Sequence, residues 1–526
     1  MQHIHAREEP IQGGPRPLAL ANKSWVPLIC AGFAGIGLVI VISSRIYQDG
    51  YLSYVSGTWA ALAADVTHGE LYRPLLSPVG YGGTRYFPLH FVLHGALVAI
   101  GVPFRFAGHT ISVLSALLLA CSGALGLYRL GASRGLACAG GILALASRTA
   151  VMGAAGIRGD LLPVALGVAG LALLPRSERE RAWPSVLLFG LAVLAKPSVV
   201  WPACGALIAL AASGQVRRAV LITAGASAVT TVGVLGAMLW SHGELLASFR
   251  AVASGGGFSL QQLRENLSYV RPGDLAWVVG GLGLWAVRGR AALRDPYFAA
   301  LLACLPVTIV LFSGRGIHIN HFVDVTTIGA LAMMSSMSYA GARMTAVSSV
   351  AVIVATLLGV VDFTFLDSMT IRHGELDRVA AAIGRGSDPI LSENPWIPIL
   401  AGERPFVLDA YSLEQTRRAS PVLQNDLLDR LDHCRFRAVV LLGPLKGNED
   451  WYAHAAFGAG FAEHLMASYS FAGIVGAHVI YLPRCASSAA TALSVPTVAG
   501  VETETVMSRG GQPSRLRVLL NWLRHR

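Results

Sequence analysis

The feature that most constrains this chain is a succession of apolar runs, many near the length of a bilayer crossing, separated by joints that carry arginine. The first covers 25–44; others lie near 107–128, 135–147, 160–175, 183–195, 198–213, 219–240, 274–287, 297–313, 322–340 and 345–363. A helix needs about 20 apolar residues to cross the hydrocarbon core. Only 13% of the 526 residues are charged, where soluble domains average about 25%, so a soluble globule of this size could not cover its surface. Disorder, collagen and coiled coil are excluded by the same composition. What remains is a polytopic membrane protein. The formal net charge of +11 then marks cytoplasmic loops and headgroup contacts, with no call for nucleic acid.

Residues 1–24 are polar and carry Arg7, Arg16 and Lys23, which predicts a cytoplasmic tail. The run that follows is longer than the core of a signal peptide and reads as a retained first span. Later joints hold Arg129 and Arg134; Arg176, Arg179 and Arg181; Arg217 and Arg218; Arg288, Arg290 and Arg294; and Arg343. If all are cytoplasmic, orientation alternates without contradiction, provided 88–104 is a re-entrant or surface segment. Its His90, His94 and Arg105 fit that reading. The outer face then receives 45–106, 148–159, 241–273, 314–321 and everything after about 364. The expected fold is an all-α polytopic membrane bundle over 25–363, with about eleven transmembrane helices plus juxtamembrane helices.

From about 364 the composition changes. "DPILSENP", "RPFVLDA", "FRAVVLLGP" and "IVGAHVIYLP" read as short strands, and 411–432 and 450–468 have helical patterning. This predicts a small extracytoplasmic α/β domain over 364–485. The tail 486–526 ends in "SRLRVLLNWLRHR", which reads either as an amphipathic helix on lipid or as a frayed basic tail. Cys30, Cys121, Cys138, Cys204 and Cys304 lie in apolar runs and read as packing residues. Cys434 and Cys485 could form one disulfide if their domain is exported.

Ionisable residues beside a membrane bundle are costly and therefore functional candidates. Asp49 sits just beyond the first span, placed as a general base, a metal ligand, or only a helix cap or partner of Arg45. Residues 55–67 read as an amphipathic surface helix ended by Gly69, with Asp65 solvated on it. Arg73 and Arg85 suit an anionic headgroup, because guanidinium presents a planar fork of donors; plain lipid contact is the simpler reading. His90 and His94 share a helix face at i, i+4 without a third metal ligand in view, so satisfied histidines are favoured. Arg158 and Asp160 lie at a span mouth as an ion pair or as a site with a second acid. Lys196 is placed to meet a phosphate or to snorkel. "SGRGIHINHFVDV" packs Arg315, His318, Asn320 and His321 before Asp324, a density of donors that packing alone does not require. "SGGGFS" in 241–273 reads as a lid, and the sequon at Asn266 carries little weight.

In this order the motifs resemble a family. Asp49, the helix 55–67, Gly69 to Tyr72, Tyr86–Phe87–Pro88–Leu89, the Arg158–Asp160–Leu162 triplet, Lys196 and the Asn320–His321–Phe322–Asp324 element are similar to the GT-C membrane glycosyltransferases. The likeness is to the branch with the lipid A aminoarabinose transferase and rhizobial core transferases, and more distantly to protein O-mannosyltransferases. It covers 49–409. "SENPWIPILAGERPFVLD" resembles the start of the exported domain of some members. Gly50 stands where the family often has a second acid, and Arg85 stands in for the Lys that some members use on phosphate.

The resemblance implies a hexosyl- or pentosyltransferase of the bacterial inner membrane. It would move a sugar from a polyprenyl-phosphate donor to an envelope acceptor (lipid, glycan or protein), with inversion. It implies catalytic roles for Asp49 and Asp160, donor-phosphate contacts from Arg85, Lys196 and Arg315, and substrate contacts from Tyr54, Tyr72, Arg158, His318, Asn320 and His321. No cofactor is required by this scheme; a divalent cation held by the acids stands as the alternative. Rival readings are a transporter or flippase for a lipid-linked or anionic solute, and a non-catalytic envelope assembly protein. No internal repeat of the transporter kind is found.

Overall fold

A computed structural model describes residues 25–485 apart from 50, 178, 256, 340–341 and 366–372. The expected cytoplasmic tail 1–24 and basic tail 486–526 lie outside the described residues. The chain begins with α1 (Val26–Tyr47), α2 (Tyr54–Thr67), the small hairpin β1 (Leu76–Ser77) and β2 (Gly80–Tyr81), and α3 (Leu89–Ala99). There follow α4 (Phe104–Arg129), α5 (Arg134–Leu143), α6 (Arg148–Ala155), α7 (Leu161–Ala172), α8 (Trp183–Ala195), α9 (Trp201–Ala212) and α10 (Val216–Trp240). Next are α11 (Glu244–Gly255), α12 (Leu260–Ser268), α13 (Pro272–Leu282), α14 (Leu284–Arg288), α15 (Pro296–Phe312), α16 (Val323–Met337) and α17 (Ala342–Phe365).

Four helices are each long and apolar enough to cross a membrane: α1, α4, α10 and the 346–364 part of α17. Two further pairs pass the same test as bent units, α5 with α6 at 77° and the 272–294 segment with α15 at 98°. Lipid-facing side chains are the reason such helices are apolar all round: Phe33, Ile36 and Val39 on α1 and Leu221, Val232 and Leu235 on α10 are more than half exposed, which only hydrocarbon solvent tolerates in such numbers. The sequence predicts about eleven crossings, whereas length and composition qualify four among the described residues, or six with the bent pairs. The windows at 160–175, 183–195 and 198–213 fold as helices of 12, 13 and 12 residues. At 1.5 Å per residue each reaches about 18–20 Å, well short of a core about 30 Å thick. A helix that starts at one surface therefore stops inside the bilayer depth.

The arginine joints gather at one end of the bundle. Arg129 pairs with Glu180 and donates to the Ala172 carbonyl at 2.8 Å. Arg294 donates to the Ala212 carbonyl at 3.1 Å, and Arg288 lies 3.9 Å over the Tyr339 ring. At the other end, 45–106 meets 314–321 where Arg85 donates to the Gly316 carbonyl at 2.6 Å. There 241–273 meets the same loop where the Ser259 N–H donates to the Ser313 carbonyl at 2.7 Å. Arg105 binds both oxygens of Asp377 at 2.8 Å.

The C-terminal part contains α18 (Glu375–Ile383), β3 (Ile390–Ser392), α19 (Trp396–Leu400), α20 (Ala410–Ala419), α21 (Pro421–Asp432) and β4 (Ala438–Leu441). It ends with α22 (Glu449–Trp451), α23 (Phe461–Ser468), β5 (Tyr469–Val475) and β6 (His478–Pro483). The sheet order is β3-β4-β6-β5, parallel between β3 and β4 and antiparallel elsewhere. Strand side chains alternate between two faces. Leu391, Val439, Leu441, Val479 and Tyr481 pack under α20, α21 and α23. Ile390, Ala438, Val440 and Ile480 pack with α18, α19 and, from the membrane part, Leu52, Ala60 and Ile157. Cys434 and Cys485 form a disulfide that joins the end of α21 to the end of β6.

The loop 45–106 departs from expectation. The helix expected to lie along the surface, α2, is buried on nearly all sides over Ser56–Asp65. The Trp396 indole N–H donates to Ser56 Oγ at 2.9 Å, and a Cβ on Gly57 would lie 2.7 Å from Pro395. Asp65, expected to be solvated, is fully buried between Arg73 and Arg404. Arg73 is equally buried, with both Asp65 oxygens and the Pro405 carbonyl as acceptors, so its guanidinium is out of reach of a headgroup. Sequence patterning missed this because α2 presents small alanines to several neighbours, not one apolar stripe to one core. Removing one member of such a buried pair strands the other charge, at a cost of about 3–5 kcal/mol. Asp65→Ala should therefore sharply lower the detergent melting temperature, while Asp65→Leu combined with Arg73→Met should lose less; equal loss in both would deny that stranded charge is the cause.

Candidate active site

Asp160 is the N-cap residue of α7 and Lys196 the C-cap residue of α8. Each charge sits where the helix end favours it, a carboxylate at an N-terminus and an ammonium at a C-terminus. Asp160 Oδ1 accepts from Lys196 Nζ at 3.0 Å and from Asn320 Nδ2 at 2.8 Å. Its Oδ2 accepts from Arg158 Nε at 3.1 Å. All three charged residues are buried. Asp160 thus holds two cations and an amide in fixed positions. Gly159 between Arg158 and Asp160 has no room for a side chain, since a Cβ there would lie 2.3 Å from the Trp59 ring.

A second cationic group adjoins the first. Arg85 Nη2 donates to the Gly316 carbonyl at 2.6 Å and Nη1 to the Arg315 carbonyl at 3.3 Å. Its guanidinium carbon lies 5.4 Å from the centre of the Tyr411 ring. These partners are neutral, and among the described residues Arg85 makes no ion pair. His321 lies within the electrostatic reach of Lys196, Asp160, Arg85 and Arg158; burial and Lys196 push its pKa well down, which leaves the imidazole neutral. Tyr86 is influenced by both groups, and burial raises its hydroxyl pKa to about 12. Its ring packs 4.2 Å from that of Trp59, which in turn meets His90 at 5.0 Å.

The other expected residues fall as follows. Arg315 is exposed beside this group, its N–H donating to the Gly257 carbonyl at 3.1 Å. The exposed His318 has its ring 5.2 Å from that of Tyr269. Asp49, with φ of +56°, lies on the same end of the bundle, but its contacts run elsewhere: Arg105 at 3.6 Å, His373 at 3.7 Å and the Gly374 N–H at 3.4 Å. Tyr54 opens α2 and is half-buried. Tyr72, expected at the substrate, is buried and donates its hydroxyl to the Tyr86 carbonyl at 2.9 Å. With its ring edge-on to Phe91, it shapes the lead-in to α3 and has no face left for a substrate. The sequon at Asn266 is likewise occupied, its side chain buried and donating to the Phe312 carbonyl at 2.8 Å.

Three residues of the site were not singled out from the sequence: Asp409, Tyr411 and Gly316. Asp409 caps α20 by accepting from the Tyr411 N–H at 3.2 Å and the Ser412 hydroxyl at 2.6 Å. The only signal for it was an Asp before a helical run, which says nothing of Arg85 some 320 positions earlier. Among the described residues no group of three or more His, Cys, Asp or Glu is placed to hold a metal ion. The His90 and His94 ring centres are 6.5 Å apart, and His94 Nε2 lies 2.9 Å from the Phe104 carbonyl oxygen.

No protein-family model and no curated protein sequence matches the chain. Solved structures do. ArnT from Cupriavidus metallidurans in the apo state aligns with a TM-score of 0.59 at 13% identity, over 86% of this chain and 97% of that one. The same protein bound to undecaprenyl phosphate aligns at 0.57 and 14%, over 88% and 98%. The apo oligosaccharyltransferase of Archaeoglobus fulgidus aligns at 0.50 and 11%, over 88% of this chain and 75% of that one. The chain therefore has the fold of the GT-C membrane glycosyltransferases.

Burial lowers the pKa of His90 to about 3 and of His94 to about 4, from 6.5. A histidine held neutral in the folded state contributes stability fully above pH 6.5, and this is lost as pH falls toward 4, because only the unfolded chain takes up the proton. The detergent melting temperature should fall between pH 6.5 and 4. His90→Phe should flatten that slope; an unchanged slope would remove His90 from the titration.

Proposed function

We propose that the protein is an integral-membrane glycosyltransferase that moves a sugar from a polyprenyl-phosphate-linked donor to an envelope acceptor, on the extracytoplasmic face. The observation that carries this reading is that Arg85, which makes no ion pair among the described residues, and the buried Lys196–Asp160–Arg158 group both lie within electrostatic reach of His321 and Tyr86 at one rim of an apolar bundle. A phosphate on a lipid tail needs cations within reach of the hydrocarbon, and the short α7 and α8 end inside the bilayer depth at Asp160 and Lys196. A protein of the same fold binds undecaprenyl phosphate.

In the proposed reaction Asp49 accepts the proton of an acceptor hydroxyl. That oxygen attacks the anomeric carbon as the carbon–oxygen bond to phosphate breaks, and the bonding pair leaves on the phosphate oxygen with inversion at carbon. Arg85, Lys196 and Arg315 stabilise the charge developing on the phosphate. Asp160 holds Lys196 and Arg158 in place, and Asn320, His318 and the neutral His321 offer hydrogen bonds to sugar or acceptor. We propose about eleven membrane passes, in which the short α7, α8 and α9 complete their crossings only with the non-helical residues that flank them, with a cytoplasmic N-terminus and an exported α/β domain over 364–485. The arginine joints at the opposite end support this orientation, as does the disulfide, a bond that persists in oxidising compartments.

Transfer of labelled sugar from polyprenyl phosphate in detergent, with no vesicle present, tests the reading; activity only across a sealed bilayer would point to a transporter. Asp49→Asn should lower transfer by about 10²–10⁴-fold with membrane abundance unchanged, since Asn tolerates the same positive φ. Full activity in that variant would remove Asp49 from the chemistry.

A further inference from the structure

The C-terminal part reaches the cationic rim at Tyr411. Residues 404–411 run along the first outer loop: Arg404 pairs with Asp65, Arg73 donates to the Pro405 carbonyl at 2.8 Å, and the Tyr81 N–H donates to the Phe406 carbonyl at 2.8 Å. Gly80 lets the two backbones close, since a Cβ there would fall 2.0 Å from the Phe406 oxygen. The segment ends at Asp409, whose carboxylate fixes the first turn of α20 through the Tyr411 N–H and the Ser412 hydroxyl. Tyr411 is thereby set between two parts of the membrane domain. One face of its ring receives the Arg85 guanidinium at 5.4 Å. Gly316 packs so closely on it that a Cβ would lie 2.3 Å from two ring carbons. Gly316 has φ of +68°, a conformation that glycine adopts at no steric cost, and it offers its carbonyl to the same Arg85.

Ring, glycine and carbonyl form one clamp around one guanidinium. Arg85 has five N–H donors, and its hydrogen bonds use two nitrogens on neutral oxygens; Asp409 lies within electrostatic reach but makes no ion pair with it, so the charge is oriented with no carboxylate bound to it. An arginine with its long side chain free would lose rotamer entropy on meeting an anion; a preoriented one has already lost it. We infer that Tyr411 is a positioning residue of the donor site: with Gly316 it holds Arg85 in the pose that receives the lipid-linked phosphate, and so makes donor binding depend on the C-terminal part. This rests on the reading of Arg85 as a phosphate cation.

The test measures the Kd of undecaprenyl phosphate for the full-length protein in detergent micelles, with lipid-free melting as the control for folding. Arg85→Ala should weaken binding by about 10-fold or more, as loss of a charge-assisted phosphate contact does. Tyr411→Leu should weaken it about 3–10-fold, the size of an exposed-to-buried cation–π contact. Tyr411→Phe, which keeps the ring, should stay within about 2-fold of the parent. In the Arg85→Ala background Tyr411→Leu should add nothing, because the ring acts through the guanidinium. Gly316→Ala, whose added methyl would fall against the ring, should reproduce the Tyr411→Leu loss and serves in its place if that variant does not fold. Unchanged binding in Arg85→Ala overturns the phosphate reading itself. A normal Arg85→Ala loss with unchanged Tyr411→Leu and Gly316→Ala binding overturns the clamp alone, as does a Tyr411→Leu loss that persists without Arg85.

Discussion

Asp160 is the acid around which the cationic rim is organised. A carboxylate removed from water is tolerated only when it is paired and hydrogen-bonded. Here it collects an ammonium from the end of α8, a guanidinium two residues back and an amide from the loop before α16. Those partners come from chain positions up to 160 residues away, so satisfying one carboxylate fixes the mutual placement of three elements. The same carboxylate keeps two cations ordered in a region where cations are costly, and that order is what an incoming phosphate would exploit.

A second buried carboxylate performs the matching task for the C-terminal part. Asp65 on α2 gathers Arg73 from its own loop and Arg404 from far along the chain. The α/β layer is therefore not a freely tethered appendage. Its lower face shares a core with Leu52, Ala60 and Ile157, and its upper core includes Tyr81 from the first loop. Sites assembled on such a base are precise because the supporting shell is packed, not because any one contact is strong.

Legibility from sequence followed the range of the physics. The apolar windows and arginine joints were readable because crossing length and charge asymmetry are local properties, although three windows folded as helices too short to cross alone. The strands β3, β4 and β6 were readable as apolar segments bounded by turn residues. Arg158, Asp160, Lys196 and Asn320 were readable as candidates because charge near hydrocarbon is expensive, and all four meet in one group. Asp65 and Arg73 carry the same residue types and were assigned to solvent and headgroups. Nothing in a single chain distinguishes a charge that faces water from one whose partner arrives some 340 residues later.

The sequence alone determined the solvent of this protein, its mainly helical bundle and the end of the bundle where its ionisable residues collect. Tertiary structure decided which of those residues touch. It placed Tyr72 in the core, gave Asp49 to Arg105 and His373, and brought Tyr411 to Arg85. The reason is that hydropathy and helix periodicity are sums over neighbouring residues, whereas a hydrogen bond or ring contact depends on ångström-scale positions of groups that only the completed packing brings together.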